Sequence, residues 1–421
     1  MSSLAYAALW LFVFSVPWES LIRIDSVHVL TKATGALAMG FASIAFVMSG
    51  RLRRWHVLHL AALLFLVWAA GTLLVMHTGE RLPYKYWTFV QLFLVLWIVW
   101  EVAVSGRRQI GLLTAYTLGA YVTAIGTIIV FRRSAADVRR FAAGGADPND
   151  LAMILALGLP IAWYLGMTYR RPLMRWVCRA YLPIALLAIA LTGSRGGMLA
   201  GLTGLLIVPL AMTLSPGRLA TAIAMLVVSG ALAMAYVPDK IVQRLATTGL
   251  EVEDLSLGGR FKLWKAGIYA FGEKPVTGVG TSGFKTAVDP LLGSATQVAH
   301  NSFVSVLVEQ GVVGFALYMT MFIAVFVAVL DLPRLERRFA LVLLATLCVA
   351  MMPLTWEDRK PVWLILAMLL GFAQAHVAES GAAVWGARAR RAAPVPASRR
   401  APRPREPLTA PGRTADRDAP A

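Results

Sequence analysis

Charge is scarce in this chain. Only 15% of its 421 residues are charged, where an ordinary soluble domain carries about 25%. Acids are scarcer than bases, 22 against 40, giving a formal net charge of +18. Cysteine is nearly absent. The two present, Cys178 and Cys348, stand far apart in or beside apolar runs. That excludes a secreted disulfide scaffold and argues against a structural disulfide. No Lys or Arg precedes Arg23, so the first apolar run lacks the basic start of a signal peptide and reads as a retained helix.

What is abundant is apolar surface: 58% hydrophobic residues and a mean hydropathy of +0.67. At roughly 20 residues per membrane helix, this fits many spans. Twelve runs can be marked: 4–22, 27–48, 57–76, 84–104, 110–131, 149–168, 176–193, 196–214, 219–237, 302–330, 339–356 and 361–379. The expectation is an all-α integral membrane protein of about 12 transmembrane helices, with one long loop at 238–300. Residues 1–385 would be the membrane domain. From 386 to 421 the chain is rich in Pro and Arg with almost no large apolar residue, so it reads as a disordered basic tail. Its charge suits anionic headgroups better than nucleic acid.

The bases test this map, because Lys and Arg favour the cytoplasmic side. With the N-terminus inside, the short inside loops hold thirteen, from Arg51, Arg53 and Arg54 to Arg334, Arg337 and Arg338. The tail adds nine, and the short outside loops hold six. Both termini therefore read as cytoplasmic. Twelve bases remain outside against the rule: Arg132, Arg133, Arg139 and Arg140, then Arg195, and seven in loop 238–300. External bases can bind an anionic substrate. The plainer alternative is that long loops translocate whatever their charge.

Three stretches could carry chemistry. In Thr192-Gly193-Ser194-Arg195-Gly196-Gly197, three glycines permit a tight turn that holds Arg195 at the mouth of a helical hairpin. The alternative is an interfacial Arg reaching for headgroups. Gly258-Gly259-Arg260 leads through Trp264 to Pro275 and Gly278-Val279-Gly280, with a short amphipathic helix expected near 260–272. Its glycines could present backbone N–H groups to an anion. It lacks the GKS/T ending of a P-loop and the strand–helix setting of a dinucleotide fingerprint. A merely structural loop stays open. Ala299-His300-Asn301 closes the long loop, and His300 is its only histidine. An imidazole suits proton transfer near neutral pH, although a lone His is more often structural. Asn301 could cap the following helix or orient a ligand. Asp147-Pro148-Asn149-Asp150 is first a helix start. His56 and His59 have helical spacing but no third ligand nearby, and Glu251, Glu253 and Asp254 form an acidic cluster. No strong metal-ligand constellation stands out, so no cofactor is expected.

Taken in order, these motifs resemble the bacterial O-antigen ligase and polymerase family. The matching elements are Asp147-Pro148-Asn149, Ser194-Arg195-Gly196-Gly197, Gly259-Arg260 with Trp264, Pro275 with Gly278-Val279-Gly280, and Ala299-His300-Asn301 with Glu309-Gln310-Gly311. The resemblance implies a glycosyltransferase type C-like fold in the bacterial inner membrane. It implies glycan transfer from an undecaprenyl-pyrophosphate donor on the periplasmic side. A ligase delivers the glycan to a hydroxyl of lipid A–core, and a polymerase delivers it to another lipid-linked repeat. The fold does not choose between them. Carried onto this chain, His300 would be the general base, and Arg195 and Arg260 would hold the pyrophosphate. Ser194, Gly196, Trp264, Gly278, Gly280, Asn301 and Asn149 would contact substrate. Transfer would invert the anomeric centre and need no metal. Two other classes stay open: a glycolipid flippase or transporter, and a non-catalytic subunit of an export complex.

Overall fold

The computed structural model describes residues 2–22, 29–50, 52–75, 84–134, 140–211, 216–246, 259–292 and 298–392. Arg139, the acidic cluster at 251–254, Gly258 and the tail beyond 392 lie outside the described residues. Residues 1–377 form one compact unit. Of the second, 378–421, the described part is the end of the last helix.

Every described element is helical. Five helices come first: α1 (Ser2–Ser15), α2 (Val29–Ser49), α3 (Val57–Val75), α4 (Tyr84–Val102) and α5 (Gly106–Arg133). Then come α6 (Pro148–Thr168), α7 (Pro172–Leu191), α8 (Arg195–Leu205), α9 (Ile207–Ala211) and α10 (Pro216–Tyr236). The long loop of the sequence reading carries α11 (Asp239–Ala246), α12 (Arg260–Glu273) and α13 (Phe284–Leu292). The chain returns through α14 (Ser302–Leu330), α15 (Arg334–Met351) and α16 (Lys360–Ala392). A 3₁₀ turn, Val16–Leu21, follows α1.

A helix lies over each of the twelve apolar runs. Among the described residues, nine helices are long and apolar enough to cross a membrane. Two more, Val57–Leu73 and Arg195–Leu210, are apolar but shorter. The twelfth, α15, opens with Arg334, Glu336, Arg337 and Arg338. A helix satisfies its own backbone polar groups, so helices suit a lipid setting.

The core is built around α6, whose side chains are buried almost throughout from Leu151 to Gly166. It packs against α5, α7, α8 and α15. Its contact with α8 uses small residues. Gly197 abuts Ala152, Gly201 lies over Leu159, and Gly204 sits on the Ala156 carbonyl and Pro160. These recur at helical spacing, so one face of α8 is nearly bare backbone and the axes can approach closely. The opposite side of α8 exposes Leu199 and Leu202. Large apolar residues are likewise exposed on α10 (Val227, Met234) and α14 (Ile323, Val327). Lipid can cover such surface where water would not. Tyr164 of α6, Phe339 of α15 and Phe372 of α16 pack as an aromatic trio, the first two stacked at 4.2 Å. Cys178 and Cys348 are free thiols.

Candidate functional site

The first wall of the site is the start of α6 against the start of α8. Asp147 caps α6, accepting from the Asn149 N–H at 2.7 Å. Pro148 follows it, where a missing N–H costs nothing. The Asn149 side-chain oxygen accepts twice, from Ser194 Oγ at 2.9 Å and from Arg140 Nη2 at 2.8 Å. Arg140 Nε donates to the Thr192 carbonyl at 2.9 Å. Ser194 caps α8 by accepting the Gly197 N–H at 3.1 Å. Gly193 has φ +58°, the left-handed conformation that this turn requires. Arg195 is thus fixed at the first turn of α8, half-buried, where the helix dipole also favours an anion.

The second wall is α12 against the start of α14. Arg260 opens α12 after Gly259 at φ +84°. One turn on, the Trp264 indole donates to the Ala299 carbonyl at 2.8 Å. His300 follows with φ +49°, unusual for a residue with a Cβ and costing about 1 kcal/mol or more. Thr355 Oγ1 holds it there by accepting the His300 backbone N–H at 3.0 Å. Asn301 caps α14 through Phe303 and Val304 N–H groups. Burial and the Arg260 charge both push the His300 imidazole below its ordinary range, and Asp147 partly opposes them. The ring is therefore neutral at neutral pH and able to accept a proton.

One short segment, 353–357, joins the two walls. Pro353 packs on Gly196, leaving no room for a side chain there, while Thr355 grips His300. Ser302 Oγ bonds the Leu354 carbonyl and the Trp356 N–H, and the Trp356 indole donates to Asp150 at 2.9 Å. Below them Lys85 bridges Glu309 at 2.7 Å and Glu357 at 2.6 Å, all three largely buried. Removing one member of such a buried triad would leave an uncompensated charge. The glycine loop docks on α14 just there. Gly280 N–H donates to the Glu309 carbonyl at 2.7 Å and Val279 N–H to Val308 at 2.9 Å. Gly278 sits at φ +68° against the Gly311 backbone, and Gly311, at φ +65°, breaks the α14 helix to receive it.

The structure therefore brings Asn149, Ser194, Arg195 and Gly196 together on the first wall and Arg260, Trp264, His300 and Asn301 on the second, and segment 353–357 links the two. Asn149 and Ser194 spend their side-chain oxygens inside the protein. Trp264 and Asn301 likewise secure the His300 turn, and Gly278 and Gly280 dock the loop. Lys85, Asp150, Thr355, Trp356 and Glu357 were not singled out as site residues by the sequence reading. Their partners lie far off in the chain, so no local pattern marks them. His59 accepts from the His56 backbone N–H at 3.2 Å. Among the described residues no group of three or more His, Cys, Asp or Glu is placed to hold a metal ion.

Residues 180–319 match the family model described as O-antigen ligase. That stretch runs from α7 to mid-α14 and includes Arg195, Arg260 and His300. No curated protein matches the chain. Over residues 180–319 the chain is therefore similar to the O-antigen ligase family.

Proposed function

We propose that the protein transfers a glycan from an undecaprenyl-pyrophosphate donor to a hydroxyl of lipid A–core. In this reading all twelve apolar helices span the bacterial inner membrane, both termini are cytoplasmic, and the site faces the periplasm. The basic tail from 386 lies against anionic headgroups. The observation that carries the reading is the placement of His300. It is a neutral, half-buried imidazole beside Arg260, joined through segment 353–355 to the turn that presents Arg195.

The acceptor O–H is a weak nucleophile, and His300 takes its proton as the oxygen attacks the anomeric carbon. The bond from that carbon to the pyrophosphate oxygen breaks, and the electron pair leaves with the pyrophosphate. Arg195 and Arg260 stabilise the growing negative charge with forked hydrogen bonds. Arg stays charged at any working pH, so this clamp needs no metal. A single displacement inverts the anomeric centre. His300 then returns its proton to water, leaving undecaprenyl pyrophosphate as the second product.

The test is a reconstituted reaction with lipid-linked glycan, chelator, and purified protein, with and without lipid A–core. Glycan on the core supports the proposal. Chain growth without core would make the protein a polymerase. Lipid movement without bond cleavage would make it a transporter.

A further inference from the structure

A cleft opens beside the site, between the 3₁₀ turn after α1, the start of α6 and the 356–361 segment. Its polar lining includes Glu19, Asp147, Asp150 and Arg359, and Pro17, Leu151, Ile154, Trp356 and Pro361 give it apolar walls.

Much of the hydrogen-bonding capacity here is unspent. Asp150 Oδ1 accepts the Trp356 indole N–H, and Asp147 Oδ1 accepts the Asn149 N–H. The second oxygen of each carboxylate takes no protein hydrogen bond among the described residues. Arg359 is paired only loosely with Asp358, at 3.8 Å, and its side chain is 54% exposed. Glu19 is matched by Lys360 at 2.6 Å. Setting that pair aside, Asp147 and Asp150 outweigh Arg359. The cleft is therefore unfavourable for a phosphate. It offers two acceptors and a forked donor, which suit the hydroxyls of a sugar ring. It also adjoins the first wall, because Asp147, which caps α6 there, lines the cleft.

We infer that this cleft binds a neutral, hydroxyl-rich saccharide, with Asp150 and Arg359 as the residues that read it. The inference rests on the glycan-transfer reading. It divides the site into an arginine side for the pyrophosphate and a carboxylate side for sugar. The sugar could come from the donor glycan or from the acceptor core; both offer the same chemistry.

The experiment uses full-length protein in nanodiscs and saturation-transfer NMR with two soluble probes. One is the oligosaccharide released by mild acid from the host's lipid-linked donor, and the other is the core oligosaccharide freed from lipid A. Glycan-free undecaprenyl pyrophosphate is titrated separately. Wild type should show transfer to one probe, which names the source. Asp150→Asn, whose amide oxygen can still accept from Trp356, and Arg359→Ala should each weaken that saccharide at least tenfold. Both should leave the undecaprenyl pyrophosphate titration unchanged. Ser20→Trp, which fills the cleft without altering charge, should abolish saccharide transfer and serves if either variant fails to fold. Binding of the pyrophosphate lipid without either saccharide would overturn the cleft assignment alone. So would undiminished saccharide transfer in the folded variants. Saccharide binding without the pyrophosphate lipid would overturn the donor reading and leave the cleft standing. Binding of neither probe class would overturn both.

Discussion

The two walls of the site are held differently. On the α6–α8 wall, Asp147, Asn149, Arg140, Ser194 and Gly197 form one unbroken chain of hydrogen bonds. On the α12–α14 wall, Trp264 and the His300 backbone are tied by one bond each, to Ala299 and Thr355. The imidazole itself makes no hydrogen bond among the described residues. The contrast matches the chemistry. The tighter wall presents Arg195, one arm of the charge clamp, and such a donor works best when its helix start is fixed before the reaction, because nothing then has to reorganise. A general base must keep its ring uncommitted to receive the acceptor's proton.

That contrast can be broken at five positions. His300→Ala should cost about 10²–10⁴ in turnover while leaving the unfolding midpoint nearly unchanged. A normal rate would remove His300 from the role of base. Arg195→Lys and Arg260→Lys should each lose about 10²–10³ in turnover, since Lys keeps the charge but not the fork. Full activity of either would sink the clamp. Asn149→Ala leaves Ser194 and Arg140 without their shared acceptor, at about 1–3 kcal/mol. It should lower both the unfolding midpoint and turnover, the latter by about tenfold. Mutating Thr355→Val on the looser wall should cost less, about 0.5–1.5 kcal/mol.

The smallest effect concerns pH. Burial and Arg260 lower the His300 basicity, so kcat/KM should rise through an apparent pKa below about 6.5. Asp147 acts in the opposite direction, favouring the protonated ring. Asp147→Asn should therefore move the acid limb to lower pH, while its amide still caps α6. An unmoved limb would show that Asp147 does not act on His300.

The sequence showed the helices well because apolar length is a local property. The runs at 84–104, 149–168 and 302–330 differ from α4, α6 and α14 only at their edges. Run 196–214 was less legible: it breaks at Leu206 into α8 and α9. Gly311 lies inside a continuous apolar run, yet it bends α14 to receive the loop at 276–278. In the site, Arg195, Arg260 and His300 stood out because glycines or a helix start flanked them. Thr355, Trp356 and Glu357 did not. The bonds from 355 and 356 to His300 and Asp150 span 55 and 206 residues, and those from Lys85 to Glu309 and Glu357 span 224 and 272. Contacts of that kind follow from how helices pack and leave no periodic trace in the chain.

The most direct test of the central claim is a single-turnover assay of the reconstituted protein. It follows undecaprenyl pyrophosphate release and the anomeric configuration of the new bond together. The account predicts one equivalent of released lipid per inverted glycosidic bond, in chelator, and almost none with His300→Ala. Retained configuration, bond formation without lipid release, or equal turnover by His300→Ala would contradict it.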